Sequence, residues 1–187
     1  MGEAVLKIRA LAEPDYLRLE LNSPVKHEYV DGQLYAFAGA TDRHNRVVTN
    51  LSGHLWLGTR KGPCQVYTSD MKLRIQSELT PRFYYPDVMV ACEPDDTHEL
   101  YKTAPSLLVE VMSPSTLNTD RREKLLAYQN VPELRDYLIV SADECYLERY
   151  RRDDTEGWWY HEYRGEGTLK LPYLGLNLTL DEIYEGL

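Results

Sequence analysis

The chain has 187 residues, 43% of them hydrophobic, and a formal net charge of −9. That length holds a real hydrophobic core, and that composition excludes a disordered chain. No apolar run approaches the roughly 18 residues of a membrane span. The acidity argues against nonspecific nucleic-acid binding, which leans on Lys and Arg, yet it leaves room for a nucleic-acid enzyme with a local basic patch.

The opening stretch, Met1 to Ala10, is too mixed in charge for the apolar region of a signal peptide. The expectation is a cytoplasmic, soluble protein without a membrane partner. Cys64, Cys92 and Cys145 are odd in number and far apart, and no Cys-x-x-Cys spacing exists. A structural zinc or redox motif is therefore not expected, and buried free thiols are.

In chain order, residues 13–22 read as a short helix, with Pro14 in the first turn and Asn22-Ser23-Pro24 as its end. Lys26 to Ala38 reads as a β-hairpin around Asp31-Gly32, with Glu28 in its first strand. Thr41 is placed to cap a longer helix whose apolar stripe is Val47, Val48, Leu51, Leu55 and Trp56. Lys61-Gly62-Pro63 ends that helix.

Strands follow at 65–68 and 70–76. Phe83 to Ala91 reads as one strand interrupted by Pro86. Ser106 to Met112 is an apolar run broken by Glu110 and reads as a central strand. Residues 113–116 turn the chain into a helix over 117–130, with Ser113 as a natural cap. Asp136 to Ser141 is a buried strand. Glu144 to Arg151 and Gly157 to Arg164 pair as a hairpin, with Trp158 and Trp159 on opposite faces. Short extended pieces and a terminal helical turn from Leu180 close the chain. This order predicts an α/β fold of mixed α+β type, a central mixed β-sheet flanked by helices, with extra N-terminal and C-terminal β-hairpins. It is expected as a single domain over 1–187, with 1–12 as a flexible lead-in.

Two carboxylates stand at or inside apolar strands, Asp87 and Glu110, and a lysine follows on a helix, Lys124. A buried carboxylate needs a partner, because an unpaired buried charge is costly. Two carboxylates and a lysine suit Mg²⁺ (or Mn²⁺) and phosphodiester hydrolysis: the carboxylates hold the cation, and the lysine orients water or offsets phosphate charge. Along the helix Leu117, Arg121, Lys124 and Tyr128 share a face. Plainer roles stand beside these. Asp87 could cap a turn after Pro86. Glu110 could form a structural ion pair with Lys124 or Arg121. Lys124 could be solvated, or paired with Asp120.

Tyr85-Pro86-Asp87-Val88, Val109-Glu110-Val111-Met112-Ser113-Pro114-Ser115-Thr116, and Asp120 to Lys124 with Tyr128 resemble the Uma-two family. These are restriction-endonuclease-like proteins of the PD-(D/E)xK nuclease superfamily. Lys26 to Gly32, Ala40 to Asn45, Pro63-Cys64, Ser69-Asp70-Met71 and Leu180 to Glu185 extend the resemblance over nearly the whole chain from Tyr16. It implies a restriction-endonuclease-like core, with Asp87 and Glu110 as metal ligands and Glu28 as a further acidic position. The usual lysine two residues after the glutamate is Met112 here, so Lys124 would serve from the helix.

The weaker candidates around this site are Asp70, His44 and Tyr128. Asp70 equally suits a strand-start turn, and His44 equally suits a surface or packing role. The first functional reading is a metal-dependent endonuclease-like hydrolase acting on DNA as a homodimer. The second is a nuclease-fold protein that binds a partner or nucleic acid without cutting. Lys72, Arg74, Arg82, Lys102, Arg121 and Arg122 are the candidates for a basic patch.

Overall fold

A computed structural model describes residues 11–36, 39–77, 80–112, 120–153, 155 and 157–187. Helix α1, Glu13–Asn22, carries a proline in its first turn and buries Tyr16 and Glu20, one turn apart on one face. Strands β1, His27–Val30, and β2, Gln33–Ala36, follow. Asp31 and Gly32 between them both have positive φ, 51° and 84°. A two-residue hairpin of this hand requires that conformation, and Asp-Gly tolerates it. Helix α2, Asp42–Thr59, begins where the Thr41 hydroxyl accepts the His44 N–H at 3.3 Å. Val47, Val48, Leu51 and Leu55 are buried, as their spacing predicts. Trp56 departs from the expected stripe: it is 54% exposed, one position round the helix, with the Arg60 guanidinium over its ring.

The strands that follow are β3, Gln65–Thr68, β4, Lys72–Ile75, β5, Arg82–Tyr84, β6, Val88–Ala91, β7, Tyr101–Lys102, and β8, Pro105–Met112. The stretch expected as one interrupted strand is thus two, in different sheets. β5 joins a five-stranded sheet, β2-β1-β5-β4-β7, and β6 joins a second, six-stranded sheet between β3 and β8. Pro86, which cannot donate to a ladder, sits at the crossing. After β8, a π-helical turn, Asp120–Lys124, runs into α3, Leu125–Tyr128. The expected cap at Ser113 and the start of the helix predicted over 117–130 lie outside the described residues.

Strand β9, Asp136–Ser141, pairs parallel with β8, and β10, Tyr146–Asp153, pairs antiparallel with β9 and with β11, Gly157–Arg164. Strands β12, Thr168–Leu171, and β13, Leu176–Thr179, form a separate pair, and α4, Leu180–Ile183, closes the chain with a capping box between Thr179 and Glu182. The expected C-terminal hairpin is the outer edge of the second sheet. The N-terminal hairpin is built into the first sheet through β1 and β5.

Alternation along the central strands sorts two faces. Val88, Val90, Leu107, Val109, Val111, Leu138 and Val140 pack with the α2 stripe. Met89, Leu108, Tyr137 and Ile139 face the other way, toward α3 and the Leu73, Ile75 and Tyr84 side of the first sheet. Glu110 lies between Val109 and Val111 and so faces this second core. Three of the tyrosines in and around it, Tyr84, Tyr128 and Tyr137, are fully buried, whereas Trp159, like Trp56, is more than half exposed.

The cysteine expectation is corrected. Cys64 and Cys92 are joined in a disulfide across 28 residues, and Cys145 is the free thiol. The reason is register: β3 pairs antiparallel with β6 with Gln65 opposite Ala91, so the flanking residues Cys64 and Cys92 meet.

Candidate active site

Four segments converge on Glu110. β8 supplies the carboxylate itself, β1 supplies Glu28, and the Tyr85-Pro86-Asp87 crossing supplies Asp87. The returning helix supplies Lys124 and Tyr128. Lys124 is 6% exposed. Its Nζ lies 3.1 Å from Oε1 of Glu28 and 3.1 Å from Oε1 of Glu110. The Tyr128 hydroxyl donates to the same Glu110 oxygen at 2.6 Å. Burial first, and then the Glu110 charge, hold the Tyr128 hydroxyl well above its ordinary pKa, so it remains a donor. The Tyr84 ring lies 5.9 Å from Lys124 Nζ, and its hydroxyl donates to Glu123 at 3.2 Å. Glu28 also accepts the Tyr85 N–H at 3.4 Å.

Asp87 is fixed differently. Its Oδ2 accepts the Val111 N–H at 2.7 Å and lies 3.2 Å from His44 Nε2. Val88 pairs with Val109, so the same register carried one residue further sets Asp87 opposite Glu110. His44 comes from the first turn of α2; it is half-buried at this carboxylate rather than on open surface.

The row continues across the sheet. Glu110 pairs with Ile139, Ile139 with Glu148, and Glu148 with Glu162, all on one face. Glu148 is buried; the Arg121 Nε donates to it at 2.8 Å, and the Tyr146 and Tyr150 hydroxyls lie 3.0 and 3.2 Å from its two oxygens. Burial, reinforced by Glu148, pushes the Tyr150 hydroxyl up to about 12. Sequence reasoning missed Glu148. The available signal was a glutamate with a tyrosine two residues away on each side, which alternation places on one face.

The expected set Glu28, Asp87, Glu110 and Lys124 is therefore assembled, with His44 and Tyr128 touching two of its carboxylates. Asp70 is not part of it. Its side chain is 85% exposed on a turn and pairs with Lys26. An acid opening a strand looks the same in sequence whether it faces a site or solvent. The anticipated basic patch is also largely spent. Arg74 binds Glu13, Arg82 binds Asp31, Arg121 binds Glu148, and Lys102 donates to the Asp96 and His98 carbonyls. Lys72 is buried over the Tyr85 ring, and Arg122 is exposed.

Among the described residues, no three His, Cys, Asp or Glu side chains are grouped closely enough to hold a metal ion. The donor chemistry nevertheless fits a hard divalent cation. Mg²⁺ is commonly held by one or two carboxylates and completed by water, which Asp87 and Glu110 could supply. Three carboxylates against one lysine leave local negative charge for a cation to offset.

The sequence matches over residues 13–181 the profile of the Uma2 family, described as "Putative restriction endonuclease". The uncharacterized protein slr1290 of Synechocystis is 36% identical over 178 residues, covering 95% of this chain and 93% of that one. A second Synechocystis protein, the uncharacterized sll1609, is 35% identical over 170 residues, covering 89% and 93%. A crystal structure described as a putative nuclease belonging to DUF820, from Anabaena variabilis, superposes with a TM-score of 0.75 over 91% of this chain and 96% of that one. At 13% identity that likeness concerns the fold. No helix among the described residues is long and apolar enough to cross a membrane. With the profile running from α1 to α4 and two relatives more than one-third identical along nearly the whole chain, this protein belongs to the Uma2 family.

Proposed function

We propose that the chain is a divalent-metal-dependent endonuclease that hydrolyses phosphodiester bonds in DNA and works as a homodimer. The observation that carries this reading is Lys124. Met112 stands two residues after Glu110, and the helix instead delivers an ammonium 3.1 Å from the glutamate it would serve.

Asp87 and Glu110 would hold Mg²⁺ or Mn²⁺. When bound, the cation supplies a bound water of lowered pKa and offsets phosphate charge. Asp87 is oriented for this by the Val111 N–H and His44, both at its Oδ2, so among the described residues its Oδ1 is left for a ligand. Glu110 is oriented by the Tyr128 hydroxyl. Lys124 directs an N–H toward the attacking water or toward negative charge developing on the phosphate. Glu28 also pairs with Lys124 at 3.1 Å, so the ammonium keeps a partner when Glu110 turns to another. The tyrosine rings of Tyr84 and Tyr128 exclude water from the back of the site, which strengthens these contacts.

The test is calorimetry with Mg²⁺ and Mn²⁺ on wild type and Asp87→Ala, followed by cleavage of supercoiled plasmid with Lys124→Ala as control. Cation binding that is lost in Asp87→Ala, with cleavage lost in both variants, supports the reading. Absence of cation binding to wild type, even with DNA present, sinks it. A second reading, a nuclease-fold protein that binds DNA without cutting, is favoured by Met112. It would be supported by DNA binding with no cleavage in either metal.

A further inference from the structure

Strand β11 is the outer edge of the second sheet. Edge strands carry unpaired N–H and C=O groups, and soluble proteins blunt them with charged side chains, proline, bulges, short length or a covering segment. β11 is long, unbulged and free of proline, and its charged side chains, Glu162 and Arg164, lie together at one end. Gly157–Arg164 is eight residues long, contains neither Lys nor Pro, and runs in unbroken register against β10 from Tyr146↔Arg164 to Asp153↔Gly157. It is also exposed almost throughout, with Trp159 and Tyr160 at 55% and 52%. The opposite edge, β3, is only four residues long and tied to β6 by the Cys64–Cys92 disulfide.

We propose that this edge is covered by a second copy of the chain, β11 pairing antiparallel with β11 about a two-fold axis normal to the sheet, with His161 on the axis. Directly opposed residues must face the same side, so only registers centred on one residue and preserving alternation are allowed. With His161 at the centre, Trp158 meets Arg164, Trp159 meets Tyr163, and Tyr160 meets Glu162 of the other copy. These are cation–π, aromatic and hydroxyl–carboxylate pairings. A register centred on Glu162 would set two carboxylates face to face. One centred on Tyr160 leaves Arg164 with no opposite residue in the strand. Of these three central registers, the one at His161 is the one in which the edge is complementary to itself.

A two-fold axis normal to the sheet keeps both glutamate rows on the same face of one continuous sheet. From β8 to its copy there are seven strand spacings by the observed order. At ~4.8 Å each, that is about 34 Å before twist, close to one turn of duplex DNA. This consequence rests on the nuclease reading; the pairing itself does not. The paired surface is small, so association on the order of micromolar is expected.

The test uses the full chain with Cys145→Ser as background. Under mild oxidation, His161→Cys should form a covalent dimer, because opposed Cα atoms in such a pair are about 4.5–5.5 Å apart and within disulfide reach. Trp159→Cys, which faces Tyr163 rather than itself, should crosslink at least tenfold more slowly. Sedimentation of wild type should show a dimer that dissociates on dilution. Trp159→Lys with His161→Lys, a charged edge, should be monomeric with an unchanged circular-dichroism spectrum. Wild type that is monomeric at every concentration, with His161→Cys uncrosslinked, overturns the proposal. So does equal crosslinking by Trp159→Cys, or a monomeric wild type whose binding of a single-stranded oligonucleotide is lost in Trp159→Ala, since nucleic acid would then be the occupant. A dimer that crosslinks at His161→Cys but cleaves no DNA upholds the pairing while removing the nuclease reading.

Discussion

Arg121 binds the carboxylate of Glu148, whose side chain is only 3% exposed, two strands away from Glu110. Arg121 and Lys124 are three residues apart and lie over the same face of the sheet. The ion pair therefore fixes where the helix sits, and with it where the Lys124 ammonium points. Arg121→Ala should lower stability by about 2 kcal/mol, since a buried carboxylate loses a charged donor but keeps two tyrosine hydroxyls. The 38% exposure of Arg121 holds the loss to that level. Urea unfolding measures it. Arg121→Lys should recover most of the stability, and loss larger in the lysine variant would contradict the account.

Lys124 separates two carboxylates. Lys124→Ala leaves Glu28 and Glu110 without the cation between them and should cost about 3 kcal/mol near neutral pH. The cost should shrink when Glu28→Gln is combined with Lys124→Ala. If the nuclease reading holds, cleavage should fall about 10²-fold or more. An Lys124→Ala protein as stable as wild type would remove the ion-pair description.

Much of this site was legible because it is local or costly. Asp31-Gly32 specifies its own turn, Thr41 its own cap, and Glu110 within Leu107 to Met112 announces a buried charge that needs a cation. What stayed hidden depends on pairs distant in sequence. Nothing in Cys64 or Cys92 reveals the β3–β6 register that joins them. Pro86 marks a break but not a change of sheet. Glu148 looks like any alternating strand residue until β9 places it in line with Glu110. Asp70 and Asp87 both stand just before strands, and only tertiary structure separates the solvated acid from the one held by Val111 and His44.

Lys72 offers a stability test with a defined sign. Burial lowers its pKa, nearby Lys26 lowers it further, and Glu20 only partly opposes this. Among the described residues its ammonium has no hydrogen-bond or ion-pair partner. A lysine whose folded pKa lies below its unfolded value makes folding costlier wherever it is charged, and that penalty fades as pH rises through the window up to the unfolded value. Lys72→Met should therefore melt at a higher temperature than wild type at pH 7, with the gap narrowing toward pH 10. A gap that widens with pH would reverse the assignment.

The Cys64–Cys92 bridge closes a loop of 28 residues. Its removal by Cys64→Ser with Cys92→Ser should lower stability by about 3–4 kcal/mol through chain entropy. Denaturant titration of the variant against oxidised wild type measures this. Reductant should shift wild type toward the variant and leave the variant unchanged.

The division of aromatic residues decides what light can report. Tyr84, Tyr128 and Tyr137 are fully buried beside Glu110, while Trp56 and Trp159 stand in water. Emission from Trp56 and Trp159 should thus be red-shifted already in the native state, so the fluorescence change on unfolding comes mainly from Trp158, half-buried against the second core. Near-ultraviolet tyrosine absorbance is the channel that follows the core. Tryptophan emission is left free to register whatever settles on the outer strand.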